Sequence, residues 1–333
     1  MSRLSPHSGL GESRVAVAPR LPVASPDFGR GHVAGGVAAG LSNGRRLALW
    51  MGGALISFIA AALAIRALAH KLNVFEMMSV RSAGGIVILL AIAALRPELK
   101  KGLTLRRIRL HFLRSSIHFV SQIGWALAIT MLPFATVFAL EFTTPVWVAV
   151  LATLLLHERM TPSRAGSVVV CFLGVLIILR PGLLAVPLPA VVMLGAAVTM
   201  AITAILTKKL ITTESTFAIL FWMNVMQLPM NLAGSGSALF LHVDQSMILP
   251  LLVIAVGGLS VHYCLTNAFR CGDATIVVSL DFLRVPAIAL IGWAFYGEAL
   301  DAFVFVGAAF IIIGVLWSVQ AEARRTQPIA SLT

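Results

Sequence analysis

The sequence predicts an all-α integral membrane protein with ten transmembrane helices, arranged as two inverted five-helix repeats with both termini in the cytoplasm. The first observation is composition: 59% of the residues are hydrophobic, 11% are charged, and the mean hydropathy is +0.96. Soluble domains carry roughly 25% charged residues. The apolar residues fall in runs of about 20, the length of helix that crosses roughly 30 Å of hydrocarbon. The other two observations are the placement of basic residues and an internal repeat.

The chain divides into a tail, two membrane units and a second tail. Residues 1–46 are rich in Gly, Pro, Ser, Ala and Arg, which predicts a disordered basic tail and no cleaved signal peptide. The first unit is expected at 47–180, the second at 186–319, and a cytoplasmic tail at 320–333. The ten predicted spans are 47–69, 73–95, 110–131, 133–156, 162–180, 186–207, 217–240, 248–269, 274–296 and 301–319.

Basic residues concentrate in every second loop. With the N-terminus inside, 20 of the 25 Lys and Arg residues fall in predicted cytoplasmic segments, Arg114 among them. The outer side keeps Arg66, Lys71 and Arg180. Cytoplasmic segments of membrane proteins carry such an excess of Lys and Arg. The bias therefore predicts cytoplasmic termini, and it accounts for the net charge of +12 without a nucleic-acid partner.

An internal repeat appears at a spacing of 140 residues. Nine residues between Trp125 and Leu176 are identical to those 140 positions later, and Glu141 aligns with Asp281. Because five spans per unit is an odd number, a tandem copy inserts with the opposite orientation. Inverted repeats are common in secondary transporters, whose substrate sites lie near the middle of the membrane between the repeats.

Four charged residues lie within the predicted spans: Arg81 in the second, Glu141 in the fourth, and Asp281 with Arg284 in the ninth. A charge at the centre of a membrane helix costs about 2.5–3.5 kcal/mol on insertion scales unless it is paired or faces water. Arg81 and Glu141 lie at the same predicted depth, and Asp281 and Arg284 share a helical face. We therefore expect two ion pairs, one in each repeat. They are either structural pairs or walls of a cavity that contacts substrate or a coupling proton.

The third predicted span carries a polar and aromatic stripe. His118, Ser121, Gln122 and Trp125 share one helical face. A lone buried histidine is more often a hydrogen-bonded core residue than a ligand contact, but four such residues together favour a cavity wall. Further candidates for substrate contact are Trp222, His262 and Tyr263. No spacing of His, Cys, Asp and Glu predicts a metal site, and no motif predicts a cofactor.

The fifth and tenth predicted spans are rich in small residues and poor in polar ones. Small residues let membrane helices approach closely, so we expect packing contacts here, either within the chain or across a homodimer. The small residues include Gly166, Gly174, Gly307 and Gly314. Helix-entry signals precede both spans, namely Glu158, Thr161-Pro162, Glu298 and Asp301.

The segment LEFTTPVWVAVLATLLLHERMTPSRAGSVVVCFLGVLIIL resembles the EamA-type signature of the drug/metabolite transporter superfamily. The matching features are Thr144-Pro145, Glu158-Arg159, Pro162 and the closing Gly174-Val175-Leu176. Arg81, in MMSVRSAGGIVILLAI, resembles the arginine typical of the family's second span. The resemblance covers about residues 47–320 and implies ten helices, two inverted repeats and movement of small metabolites across the bacterial inner membrane. It also implies that the substrate is amino-acid-like, nucleoside-like or cofactor-like.

These observations predict a secondary transporter that works by alternating access, with Glu141 and Asp281 as candidates for proton coupling. Arg81 and Arg284 are expected to act as counter-charges or anion anchors. The expected partners are a small-molecule substrate, protons and the bilayer of the inner (plasma) membrane. The alternatives are an uncoupled facilitator or channel and an integral membrane enzyme. No nucleophile–base motif or phosphate loop favours the enzyme, so no catalytic residue is expected.

Overall fold

The computed structural model describes residues 37–156, 161–180, 186–236, 243–271, 277 and 280–326, and the regular elements within these ranges are helices. Eight helical segments there are long and apolar enough to cross a membrane. The prediction of an all-α integral membrane protein is confirmed. The helices of the first half are α1 (Val37–Leu68), α2 (Val74–Leu95), α3 (Ile108–Met131), α4 (Phe134–Glu141), α5 (Thr144–Leu156) and α6 (Pro162–Leu179). Those of the second half are α7 (Leu188–Leu210), α8 (Thr216–Ser235), α9 (Gln245–Cys271), α10 (Arg284–Tyr296) and α11 (Ala302–Thr326).

Apart from the interrupted fourth and ninth spans, the helix ends lie within about five residues of the predicted ends at all but two places. Helix α1 begins at Val37, so residues 37–46 are helical although they were assigned to the tail. Helix α11 continues to Thr326, seven residues into the predicted C-terminal tail. In both places the chain contains no proline, so nothing ends the helix where the apolar run ends. The predicted tail before residue 37 and the Glu158-Arg159 pair lie outside the described residues.

The fourth predicted span is two helices, because the chain is interrupted at Phe142 and Thr143 between α4 and α5. Pro145 has no N–H to donate to the Glu141 carbonyl, so an unbroken helix would lose a hydrogen bond there. The Thr144 hydroxyl donates to that carbonyl instead, at 2.7 Å. The chain is interrupted in the same way at Phe282 and Leu283, just before α10.

The helices of the two halves pack against each other in matching pairs. Helix α1 packs along α9, and their counterparts in the other half, α7 and α3, also pack together. Likewise, α2 contacts α9, and their counterparts α8 and α3 are in contact. The pairs α2–α8, α4–α10 and α6–α11 are also in contact. Most of the large buried side chains belong to one apolar core that includes residues of both halves. The two halves therefore form a single packed body.

The small residues of α6 and α11 bring these two helices into backbone contact. A Cβ at Gly174 would stand 2.6 Å from the Gly307 carbonyl oxygen, and one at Gly314 would stand 3.0 Å from that of Ser167. The predicted close packing is thus present within the chain. Thr161 caps α6 by accepting from Arg164 N–H, and Asp301 accepts from Phe303 N–H at the start of α11.

Candidate functional site

Three ionisable side chains, which we call the Arg284 cluster, meet where the two broken helices are interrupted. Glu141 is the last residue of α4, Arg284 is the first of α10, and Asp281 lies three residues before it. Arg284 Nη1 lies 3.3 Å from Glu141 Oε1, and Nη2 donates to Asp281 Oδ2 at 2.8 Å. The side chain of Arg284 is 7% exposed and that of Glu141 12%, whereas Asp281 is 27% exposed. One guanidinium thus faces two carboxylates.

Aromatic rings surround the Arg284 guanidinium. Its central carbon lies 4.0 Å from the ring centroid of Phe58 and 4.9 Å from that of Phe142, distances at which cation–π attraction stabilises a charge. Phe142 also contacts Phe282, with ring centroids 4.6 Å apart. Trp125 Nε1 donates to Glu141 Oε2 at 2.7 Å. The rings and this indole N–H stabilise the Arg284 cluster inside the protein.

The predicted ion pair between Arg81 and Glu141 is wrong. Each lies seven residues from the start of its helix, but α2 packs mainly against α8 and α9, whereas α4 packs against α7, α10 and α11. Equal depth therefore does not bring the two side chains together. Glu141 pairs across the halves with Arg284, while the expected contact between Asp281 and Arg284 is present.

A second group, which we call the basic cluster, consists of Arg81, Arg114, His118 and His262 on α2, α3 and α9. The four lie close enough for their charges to interact. Neither arginine forms an ion pair with a carboxylate in the described ranges. Arg114 is 5% exposed, and its Nε donates to Thr207 Oγ1 at 3.1 Å. Nη1 of each arginine is buried and has no hydrogen-bond partner among the residues that the structure describes.

Glycine at position 258 makes room for Arg81. A Cβ there would collide with Arg81 Nε and stand 3.1 Å from Cζ. The same helices approach closely at Gly84, where a Cβ would stand 2.6 Å from that of Ala255. The Arg81 guanidinium therefore lies against the α9 backbone, one helical turn from His262.

The predicted stripe on α3 connects the two groups. His118 belongs to the basic cluster and Trp125 contacts the Arg284 cluster, seven residues or about 10 Å along the helix. Between them, Gln122 Nε2 donates to Met78 Sδ at 2.9 Å. Gln227 Nε2 lies 2.9 Å from His118 Nδ1. The stripe is thus engaged with three other helices, α2, α4 and α8.

A cavity of about 480 Å³ lies at one end of the helices, between the end of α2, the start of α8 and the last turns of α9. His262 and Tyr263 both line this cavity. Tyr263 is 62% exposed and contacts Trp50 edge-on, with ring centroids 5.6 Å apart. Trp222 is not among the lining residues, and it lies beside His111 with a centroid distance of 6.5 Å. The predicted aromatic contacts are therefore dispersed over different parts of the molecule.

At the opposite end of the helices, three ion pairs each join one half of the chain to the other. Arg66 Nη1 lies 2.7 Å from Glu298 Oε1, Lys71 Nζ lies 3.2 Å from Asp244 Oδ2, and Arg180 pairs with Asp301. These cations are the three basic residues assigned to the outer side from the sequence. Glu298 also accepts from Phe134 N–H at 2.8 Å. Hydrogen bonds from Ser246 and then from Lys71 lower the pKa of the exposed Asp244 carboxyl.

Sequence reasoning missed Arg114, which was counted as a loop residue because it lies near the predicted start of a span. In the structure it is buried in the second turn of α3. Its position four residues before His118 places both on one helical face. That spacing was the available signal.

Groups of His, Cys, Asp and Glu that could hold a metal ion are absent from the described residues. The candidate site is therefore described by its charged, aromatic and amide side chains alone. Its two charged groups have opposite character, since the Arg284 cluster contains two carboxylates and one guanidinium, and the basic cluster contains no carboxylate.

Comparison with known proteins places this geometry in a family. Residues 45–180 and 188–320 each match the EamA-like transporter family. A riboflavin transporter of Rhizobium johnstonii is 30% identical over 217 residues, which cover 65% of this chain and 71% of the relative. An S-adenosylmethionine uptake transporter of Rickettsia prowazekii is 25% identical over 226 residues, covering 68% and 76%. A pseudopaline exporter of Pseudomonas aeruginosa is 27% identical over 190 residues, covering 57% and 67%.

A solved crystal structure has the same fold at low sequence identity. It superimposes with a TM-score of 0.56 at 15% identity and covers 84% of this chain and 98% of its own. At this identity the likeness shows the fold alone.

Proposed function

Because the chain belongs to the EamA-like transporter family, we propose that it carries a small metabolite across the membrane by alternating access between two inverted five-helix repeats. Membership of this family of the drug/metabolite transporter superfamily makes it a multi-pass membrane transporter of small molecules. We further propose an inverted orientation of the two repeats, a substrate site, proton coupling and a class of substrate. We place the repeats at 47–180 and 186–319, with both termini and both short tails in the cytoplasm of a bacterial inner membrane.

Contacts between positions 140 residues apart support the inverted repeat. Phe142 contacts Phe282, and the Cys171 thiol donates to the Ile311 carbonyl at 3.4 Å. Equivalent residues of two repeats touch each other only near the two-fold axis that relates them. The matching helix pairs described above have the same symmetry.

The observation that carries the proposed function is the Arg284 cluster at the two helix interruptions. Secondary transporters with inverted repeats bind substrates and coupling ions where discontinuous helices meet near the midplane. Here Glu141 ends one broken helix and Arg284 begins the other, and each belongs to a different repeat. Ionisable residues inside a membrane protein are costly and mark substrate or ion pathways.

The arrangement of closed and open ends corresponds to one state of a transport cycle. The three ion pairs between the halves close the predicted outer end, and the cavity with His262 lies at the predicted cytoplasmic end. We infer that the reverse state breaks these pairs and closes the cavity, by rocking of the halves.

Protonation of Glu141 or Asp281 is the proposed coupling step. Both carboxylates depend on Arg284, so a proton on either one weakens an ion pair between or beside the broken helices. Asp281 is the more exposed of the two and is the proposed point of proton entry.

We propose that the substrate is heterocyclic or amino-acid-like, as the names of the relatives suggest, with riboflavin and S-adenosylmethionine as first probes. Trp125, which joins the α3 stripe to Glu141, is the proposed aromatic contact. His118, Gln122, Trp222, His262 and Tyr263 remain proposed substrate residues.

The test is counterflow in vesicles, which reports transport in either direction. Purified protein in liposomes is preloaded with unlabelled riboflavin, S-adenosylmethionine or a mixture of amino acids, and the entry of labelled compound is followed. We expect exchange of at least one compound, and loss of exchange in Trp125→Phe, which keeps an aromatic ring but lacks the indole N–H that donates to Glu141. The control is Trp293→Phe, at a tryptophan that is 57% exposed. Exchange no faster than in empty liposomes for every compound would contradict the proposal.

A further inference from the structure

Buried polar atoms without partners concentrate around the basic cluster. In the part of the chain that the structure describes, most buried side-chain nitrogen and oxygen atoms that lack a hydrogen bond lie on α2, α3 and α8. They include Nη1 of Arg81 and of Arg114, both ring nitrogens of His111, and Nε1 of Trp222. Arginine and tryptophan nitrogens can only donate, and an unpaired buried donor costs stability. The region thus presents donors that require an acceptor, together with amide oxygens of α3 and α8 that lack a donor.

The positive charge of the basic cluster is also uncompensated. Arg81 and Arg114 are close enough to repel each other, and no described carboxylate pairs with either. Glu214 interacts with His111 and accepts from Thr104, at 3.2 Å. Two guanidinium groups held together inside a protein are stabilised when an anion binds both.

We propose that the basic cluster binds the anionic group, a carboxylate or a phosphate, of the transported substrate. The inference rests on the proposed function and narrows its substrate class. Arginine suits this role because its parallel N–H groups match the paired oxygens of either anion. Arg81 and Arg114 reach the site from different helices, and His118 and His262 add ring N–H donors.

The basic cluster borders the cavity at one residue, His262. His262 lines the cavity and also interacts with Arg81 and Arg114. Arg81 lies one turn further along α9, in the space that Gly258 leaves open. The α3 stripe extends about 10 Å from His118 to Trp125, whose indole contacts the carboxylate of Glu141. A substrate with its anion at the basic cluster would present its other end to the Arg284 cluster.

The test compares probes that differ by one anionic group. Full-length protein in lipid nanodiscs is titrated with adenosine and adenosine 5′-monophosphate, and with tryptamine and tryptophan, while thermal unfolding is followed. We expect the anionic member of at least one pair to bind more tightly than its partner. The first pair reports a phosphate site and the second a carboxylate site. Arg81→Gln and Arg114→Gln should each weaken binding of that member about 10- to 100-fold.

Two controls separate the site from general effects of charge and folding. Arg109→Gln removes an exposed arginine of the same helix and should bind as the wild type does. Arg81→Lys keeps the positive charge but lacks the parallel N–H groups of the guanidinium, so this variant should bind the anionic probe with intermediate affinity. The inference is overturned if no anionic probe binds better than its partner, or if the preference survives in both Gln variants.

Failure of this inference and failure of the proposed function give different results. Counterflow of a substrate by a protein without any anion preference would refute the basic cluster as a site and keep the transporter. Tight, arginine-dependent binding of an anionic probe by a protein that exchanges no compound would refute the transport proposal and keep the anion site.

Discussion

Both carboxylates of the Arg284 cluster depend on a single residue. Removing one partner of a buried ion pair leaves an unpaired charge and costs about 3–5 kcal/mol. We therefore expect Arg284→Gln to lower the thermal unfolding temperature, and the double change Arg284→Gln/Glu141→Gln to restore part of the loss. Unfolding is measured in nanodiscs, with Lys71→Gln as the control, because its pair is exposed and worth little. Wild-type stability of Arg284→Gln would show that the guanidinium is not the counter-charge.

Gly258 provides a second prediction for a single residue. In Gly258→Ala the new methyl group would collide with Arg81 Nε, so the guanidinium must move. We expect a loss of anion-dependent stabilisation in the probe titration without a loss of protein expression. Gly52→Ala is the matched control, since a Cβ there meets nothing within 4 Å. Equal titrations for both variants would contradict the placement of Arg81 against α9.

The sequence identified the charged residues of the site but not all of their partners. A charge within an apolar run is visible from composition, which is why Arg81, Glu141, Asp281 and Arg284 were found. The depth of a residue in the membrane can also be estimated from the sequence, but depth alone does not determine which side chains are in contact. The partner of Glu141 is decided by which helices pack side by side, over separations of more than 100 residues, and no local pattern reports that.

Among the elements, the interrupted helices were the least predictable. Hydropathy gave one span at 133–156 because both helices on either side of Phe142 and Thr143 are apolar. The signal for the interruption was Pro145, whose missing N–H prevents a continuous helix. The equivalent interruption at Phe282 is accompanied by Pro286, one position later than the 140-residue spacing predicts.

The contact between α6 and α11 supports a prediction for an element. Because a Cβ at Gly174 would stand 2.6 Å from a backbone oxygen of α11, the helices must separate in Gly174→Ala. We expect a loss of about 1–3 kcal/mol, as for other overpacked interiors, seen as a lower unfolding temperature. Gly195→Ala, where a Cβ meets nothing within 4 Å, should have no such effect. An unchanged Gly174→Ala protein would argue that this helix pair is loosely packed.

The same contact bears on the predicted homodimer. The glycine faces of α6 and α11 are buried against each other within one chain, so they are not available to a second copy. A dimer, which stays a prediction, would have to use the opposite faces of these helices, where Phe172 and Ile313 are exposed.

For the whole molecule, the pairing of helices follows from the repeat more than from any residue. If one repeat is inverted relative to the other, each contact between unlike helices must occur twice, as α1–α9 and α3–α7 do. The 140-residue spacing predicts the repeat and the odd number of spans per unit predicts its inversion, which stays a prediction. The sequence does not predict which end of the helix bundle is open, because that depends on the balance between contacts at the two ends.

The last prediction concerns the contacts that hold the two halves together at the predicted outer end. Glu298 accepts from Arg66 and from Phe134 N–H, and thereby joins the halves at the predicted outer end. Hydrogen bonds to charged groups contribute about 1.5–3 kcal/mol, so we expect Glu298→Gln to shift the population towards an outward-open state tenfold or more. The reporter is Leu132→Cys, a residue 6% exposed at this end, in a chain with Cys171, Cys264 and Cys271 replaced.

A membrane-impermeant maleimide added to intact cells should label Leu132→Cys faster when Glu298→Gln is also present. Glu76→Gln is the control, since Glu76 lies at the same end but, among the described residues, its carboxylate accepts only from Asn73 N–H within its own helix cap. Equal labelling in all three proteins would show that the ion pair does not hold this end closed. Labelling confined to inside-out vesicles would instead reverse the orientation, and the arginine-rich loops would then face outward against their charge bias.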